Sequence, residues 1–214
     1  MRSLLDDAAE ALRAGAPVFT RRNLFHACRR TRADGAAVTE VTFERALRRR
    51  LARGPLPGLL PVTPSRGSNR SRSPRRPFPD AILLVDRPAV ADLLARLATL
   101  ASPALAIVCI DGSPAPLIEA LRRGFRAGRR APVLYVHDAA TVVYPFTLEP
   151  LATAVREGAS GPQVYRDLGL PPLGAAARRF ADPTLPADEL VFELEAVPPA
   201  TLLRYCTRTL RRPS

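Results

Sequence analysis

Lysine and tryptophan are missing from this chain of 214 residues, and methionine occurs once. Cysteine is scarce and odd in number: Cys28, Cys109 and Cys206 lie far apart without ligand-like spacing, which gives a disulfide framework or a zinc site little support. All three read as packed thiols. No uninterrupted apolar run reaches the length of a membrane span, and the opening MRSLLDDAAEALRAG carries acids where a secretory signal would be apolar. The expected location is the cytoplasm, with no membrane partner. Several catalytic signatures are also wanting. There is no Walker loop, no Gly-x-Gly-x-x-Gly, no Gly-x-Ser-x-Gly and no His-Glu-x-x-His. Nucleotide hydrolysis, dinucleotide binding, the serine-hydrolase elbow and zincin chemistry therefore lack their usual sequence basis.

What is present is arginine. With lysine absent, all 32 basic residues are Arg against 20 acids, giving a formal net charge of +12 and a pI near 11.2. The richness in Ala, Pro and Arg fits a GC-biased coding sequence. Such bias exchanges Lys for Arg without altering net charge, so the excess of bases still points to a polyanionic partner. The apolar fraction of 47% is that of a globular protein able to bury a core.

Residues 64–79, PSRGSNRSRSPRRPFP, hold too little apolar surface to offset their ordering entropy and read as a basic flexible linker. Before it, residues 1–63 show three helical patterns. Leu4, Leu5, Ala8, Ala11 and Leu12 share one face of the first; Thr20 can cap a second with Leu24, Phe25 and Cys28 inward. Thr39 can cap a third, in which Phe43, Leu47 and Leu51 recur every four residues. GPLPGLLPV then suits a short hairpin. Three helices and a hairpin outline a small winged-helix domain, whose third helix exposes Arg45, Arg48, Arg49, Arg50 and Arg53 to a major groove. A solvated basic face on a helical bundle is the alternative.

Residues 80–214 alternate. AILLVD (81–86), ALAIVCID (104–111) and APVLYVHD (131–138) read as strands, with helices at 88–100 and 113–128 between them. Apolar runs of this kind belong to a doubly wound, mainly parallel α/β sheet covered on both faces. Further on, the pattern gives a helix near 147–157, a Pro-rich irregular stretch to 188, a strand at ELVFELEAV and a final helix at PATLLRYCTRTLRR.

Each of the three strands ends in an acid: Asp86, Asp111 and Asp138. Ligands of open parallel sheets bind at the carboxyl ends of the strands, so these acids are candidate Mg²⁺ ligands. Capping of the following turn is the structural alternative for each. His137 beside Asp138 is a weaker candidate, because neighbours on a strand point to opposite faces.

AILLVDRPAV, with an acid closing the first strand, and VLYVHDAAT, with an acid closing the third, resemble the Toprim domain of topoisomerases and primases. Following a basic winged helix, that order is similar to the topoisomerase VI A subunit and its relative, the meiotic double-strand-break transesterase. FTRRNLFHACRR (19–30) resembles the family's helix motif leading to the tyrosine that attacks DNA. The resemblance implies a Toprim-like sheet and duplex DNA as partner, held by Arg21, Arg22, Arg45, Arg48, Arg49 and the linker arginines. His26 occupies the tyrosine's place, and an imidazole cannot supply the phenolate oxygen of a tyrosyl-DNA phosphodiester. Asp86 replaces the family's Glu, and Ala140 stands where the second Asp of Asp-x-Asp would be. Binding to DNA without tyrosine-mediated cleavage is thus expected, with Mg²⁺ affinity weak or lost. Two other functions remain open at this point: a Mg²⁺-dependent nuclease or phosphoryl transferase built on the three aspartates, and an interaction module holding a protein partner in a larger complex.

Overall fold

A computed structural model describes residues 2–31, 38–61, 81–85, 87–101, 105–109, 131–137, 139–140, 165–167 and 191–211, together with Glu119, residues 122–124 and Thr153. The basic linker 64–79 and the three strand-end aspartates lie outside them.

Three amino-terminal helices form as their apolar spacing requires: α1 (Arg2–Gly15), α2 (Arg21–Thr31) and α3 (Glu40–Leu51). Leu5, Ala8 and Leu12 of α1 pack with Leu24, Phe25 and Cys28 of α2 and with Phe43 and Leu47 of α3. Two details depart from the sequence pattern. Ala9 takes the buried place expected for Ala11, and Leu51 is 40% exposed. A spacing of four overshoots a 3.6-residue turn by about 40° per step, so the third member of the Phe43, Leu47, Leu51 series has rotated out of the core.

The segment after α3 does not fold as a hairpin of its own. Within residues 55–61 the chain turns at Gly58 and makes a single parallel bridge, Phe19 to Leu59, with the connection between α1 and α2. Phe19 N–H donates to Gly58 O at 2.9 Å, and Leu60 N–H donates to Phe19 O at 2.9 Å. Gly58 has φ +84°, and a Cβ there would sit 2.9 Å from Pro17 O. Glycine is required on both counts.

The carboxyl-terminal part carries an open α/β sheet whose strands are all parallel. β1 (Ala81–Val85), β2 (Leu105–Cys109), β3 (Val133–Val136) and β5 (Tyr165–Asp167) lie in the order β2-β1-β3-β5. β4 (Ala139–Ala140) pairs separately and antiparallel with β6 (Val191–Phe192). Every residue of β1 and β3 is buried, as uninterrupted apolar runs demand of strands with no solvent face. α4 (Pro88–Ala101) connects β1 to β2. The connection from β2 to β3 contains helical residues at Glu119 and 122–124.

ELVFELEAV was expected as one strand, but extended pairing stops at Phe192 and Leu194–Ala196 coil into a 3-10 turn. That turn leads into α5 (Pro199–Arg211). Leu194, Val197, Leu202 and Cys206 close over Leu83 and Val85 of β1, Leu134 and Val136 of β3, and Val90 and Leu94 of α4. A smaller apolar seam joins the two ends of the chain. Ala16, Val18 and Leu60 pack against Leu93 and Leu97 of α4 and Ala200 and Leu203 of α5. No helix among the described residues is long and apolar enough to cross a membrane.

Candidate nucleic-acid interface

Thr20 and Thr39 each cap a helix, as the sequence pattern requires, but they begin helices with different uses of arginine. At α2, Asn23 N–H donates to Thr20 Oγ1 at 3.1 Å while Thr20 N–H donates to Asn23 Oδ1 at 2.9 Å. This reciprocal arrangement satisfies two helix-end donors. Both residues are buried, and both reach onward to the 3-10 turn. Thr20 Oγ1 donates to Glu195 Oε1 at 2.6 Å, and Asn23 Nδ2 donates to Glu195 O at 2.7 Å.

In the same first turn of α2, the Arg22 guanidinium grips Glu193 with two hydrogen bonds, Nε to Oε2 and Nη2 to Oε1, both 2.6 Å. Its Nη1 donates to Glu40 at 2.9 Å, and its Cζ lies 5.0 Å from the Phe25 ring centroid. His26 Nε2 lies 3.0 Å from Glu193 Oε2, with the imidazole 11% exposed. Arg30 Nη1 donates to Ala196 O at 2.6 Å. Burial by itself would raise the Glu193 carboxyl, but hydrogen bonds from Arg22 and His26 outweigh it and hold the group down to about 2. The bonds that Arg22 donates to the Glu193 carboxylate in turn push its guanidinium further above its ordinary value. Arg21 is paired with Glu44 of α3.

On α3, Thr39 Oγ1 accepts from Thr42 N–H at 3.2 Å. The two acids of this helix, Glu40 and Glu44, are matched by the two arginines that open α2. Arg50 turns inward, donating from Nε to Asp6 at 2.7 Å and from Nη1 to Gly54 O at 3.2 Å. Arg45, Arg48 and Arg49 are exposed, and among the described residues no acid or carbonyl engages their side chains. They lie opposite Phe43 and Leu47, which are buried against α1 and α2. Val41 is on the same outer side and is 68% exposed.

The structure therefore separates the predicted DNA-contact residues into two groups. Arg45, Arg48 and Arg49 share one outer surface. Arg21 and Arg22 sit at the seams of α2 with α3 and the 3-10 turn, and His26 sits with Arg22. Glu193 and Glu195 form the other half of that seam, with Asn23 joining them from α2, and all three were missed by sequence reasoning. The trace of the two acids was a pair of charges interrupting an apolar run read as a strand.

Asp86, Asp111 and Asp138 lie outside the described residues. The strands that lead to them are well defined: Val85 pairs in register with Val136 and with Cys109. β1 connects to β2 on one side and β3 lies on the other, so the strand order reverses between β1 and β3. His137 stacks on Tyr135 with ring centroids 4.8 Å apart. Among the described residues no three His, Cys, Asp or Glu side chains gather as a metal site. Cys28 and Cys206 are buried and their thiols are pushed up to about 12 by desolvation, so both stay protonated packing groups. The comparisons with known proteins find no matching family model, no matching curated protein and no matching solved structure.

Proposed function

We propose that this chain binds duplex DNA through the outer face of α3, in the layout of a winged helix followed by a doubly wound, Toprim-like sheet. The observation that carries the reading is the set of three arginines, Arg45, Arg48 and Arg49, left exposed on a helix whose own acids are already matched. An uncompensated cationic stripe on a rigidly anchored helix suits entry into a major groove with arginines meeting phosphates and base edges. Arg21 and Arg22 serve the same end indirectly: they offset Glu44 and Glu40, which would otherwise repel phosphate, and fix α3 against α2. The resemblance to the topoisomerase VI A subunit supports this layout through the quoted motifs. His26, at the place of the family's tyrosine, is consigned to the seam with Glu193, so the activity is binding without tyrosyl transfer.

The test is fluorescence anisotropy of a labelled duplex titrated with the full chain over a range of salt. Affinity should fall steeply as salt rises, and Arg45→Ala, Arg48→Ala and Arg49→Ala together should reduce the log–log salt slope by roughly 3. Binding insensitive to salt, or unaltered in the triple variant, would refute the interface.

A second reading is favoured by the in-register pairing of β1 and β3 at a reversal of strand order, where sheet enzymes place their ligands. In it, Asp86, Asp111 and Asp138 hold Mg²⁺ for phosphoryl chemistry. Duplex cleavage that requires Mg²⁺ and disappears in Asp138→Ala would establish it; absence of metal binding by calorimetry would end it.

A further inference from the structure

Among the described residues, Val41 is the most exposed large apolar side chain, at 68%. A single exposed valine on a protein surface is ordinary. Its setting distinguishes this one. Val41, Arg45 and Arg48 follow each other at spacings of four and three, which places them on one stripe of α3, on the side away from the buried Phe43 and Leu47. Glu40, its neighbour in the first turn, is held by Arg22 Nη1 at 2.9 Å, toward α2. Thr39 and Thr42 bond to each other, their hydroxyls 3.0 Å apart. The first turn thus offers two methyl groups with the adjacent negative charge matched and the adjacent hydroxyls engaged.

Resting on the DNA-binding reading above, we infer that Val41 is a specificity residue that contacts the 5-methyl group of thymine in the major groove. Helices that enter the groove contact base edges with their first turns, and the thymine methyl is the apolar feature displayed there. From Val41 to Arg48 the helix rises about 10 Å, roughly three base-pair steps. A stripe of that length can touch a methyl at one end while arginines reach guanine edges or phosphates further along. The guanidinium charges complement the phosphates on either side of the groove. A-form RNA is a poor fit, because its deep, narrow major groove excludes a helix and uracil has no methyl.

The experiment compares the full chain on two 20-base-pair duplexes of alternating sequence, one of adenine and thymine and one of adenine and deoxyuridine, which differ only in the 5-methyl groups. The wild type should bind the thymine duplex about fourfold more tightly, the worth of one buried methyl group. Val41→Ala should bind both duplexes alike, at the weaker affinity, with an unchanged circular dichroism spectrum and an unchanged salt slope. Equal wild-type affinity for the two duplexes overturns the role of Val41 while leaving the arginine interface standing. So does thymine preference that survives in Val41→Ala. Failure to bind either duplex at low salt, or tighter binding to duplex RNA of the same length, overturns this inference and the DNA reading together.

Discussion

Helices α2 and α3 resemble each other closely as sequence. Each is preceded by threonine, carries two or more arginines in succession and buries a phenylalanine, and those two rings pack edge to face at 5.2 Å. Their arginines nevertheless have different fates. Arg21, Arg22 and Arg30 of α2 are committed to Glu44, Glu193, Glu40 and the carbonyl of Ala196. Arg45, Arg48 and Arg49 of α3 face outward with no such partner among the described residues. A basic helix is therefore not in itself a nucleic-acid surface. What matters is whether acids elsewhere in the chain have already claimed its charge.

The sharpest way to break this comparison is to remove the acid at the centre of the α2 seam. Glu193→Ala leaves Arg22 and His26 partly buried without their shared partner, and should lower stability by about 3 kcal/mol in urea unfolding. Loss of less than about 0.5 kcal/mol would reduce the seam to an incidental contact.

Acid should act on the same group in a definite direction. The Glu193 carboxyl lies below its ordinary 4.5, at about 2 in the folded chain. Its contribution is therefore complete above about pH 4.5 and is lost as pH falls toward 2, on the order of 3 kcal/mol in all. Glu193→Gln should flatten that part of the stability profile, measured by urea midpoints at several pH values. An undiminished acid slope in the variant would assign it to other carboxylates.

The two caps sharpen the comparison further. Thr20 is buried and bonded on to Glu195, whereas the Thr39 cap is exposed. Thr20→Ala should cost about 2 kcal/mol and Thr39→Ala about 1 kcal/mol in the same assay. A reversed ranking would show that the contact to Glu195 adds nothing to the cap. Smallest of all, Arg45→Ala, Arg48→Ala or Arg49→Ala singly should alter stability by no more than about 0.5 kcal/mol. A larger loss would mean that these side chains have structural partners, and the contrast between the helices would vanish.

Much of the fold could be read in advance because its determinants are local. Uninterrupted apolar stretches at 81–85 and 133–136 became parallel strands buried along their whole length, as such runs favour, and the one at 105–109 became the half-buried edge strand beside β1. The threonine caps followed from the shortage of acceptors at helix starts. The strand expected across ELVFELEAV failed for a non-local reason. Two of its acids and its carbonyls at Glu195 and Ala196 are used by α2 side chains, and Arg22 and Glu193 are 171 residues apart in sequence. No window of neighbouring residues contains that information. The same holds for the candidate interface: the α3 arginines were visible as a run, but the partners that take Arg21 and Arg22 out of the exposed set were not.

By itself, the sequence determined the helices α1 to α5, the apolar strands β1, β2 and β3 and that arginine supplies all the fixed positive side-chain charge, because composition, periodicity and capping are properties of short segments. Only the tertiary structure decided that β1 lies between β2 and β3, that the 3-10 turn closes on α2, and that three arginines of α3 remain outward while those of α2 are matched. Strand order and ion pairing depend on which distant segments meet, and that is set by burial of apolar surface from both ends of the chain in common cores.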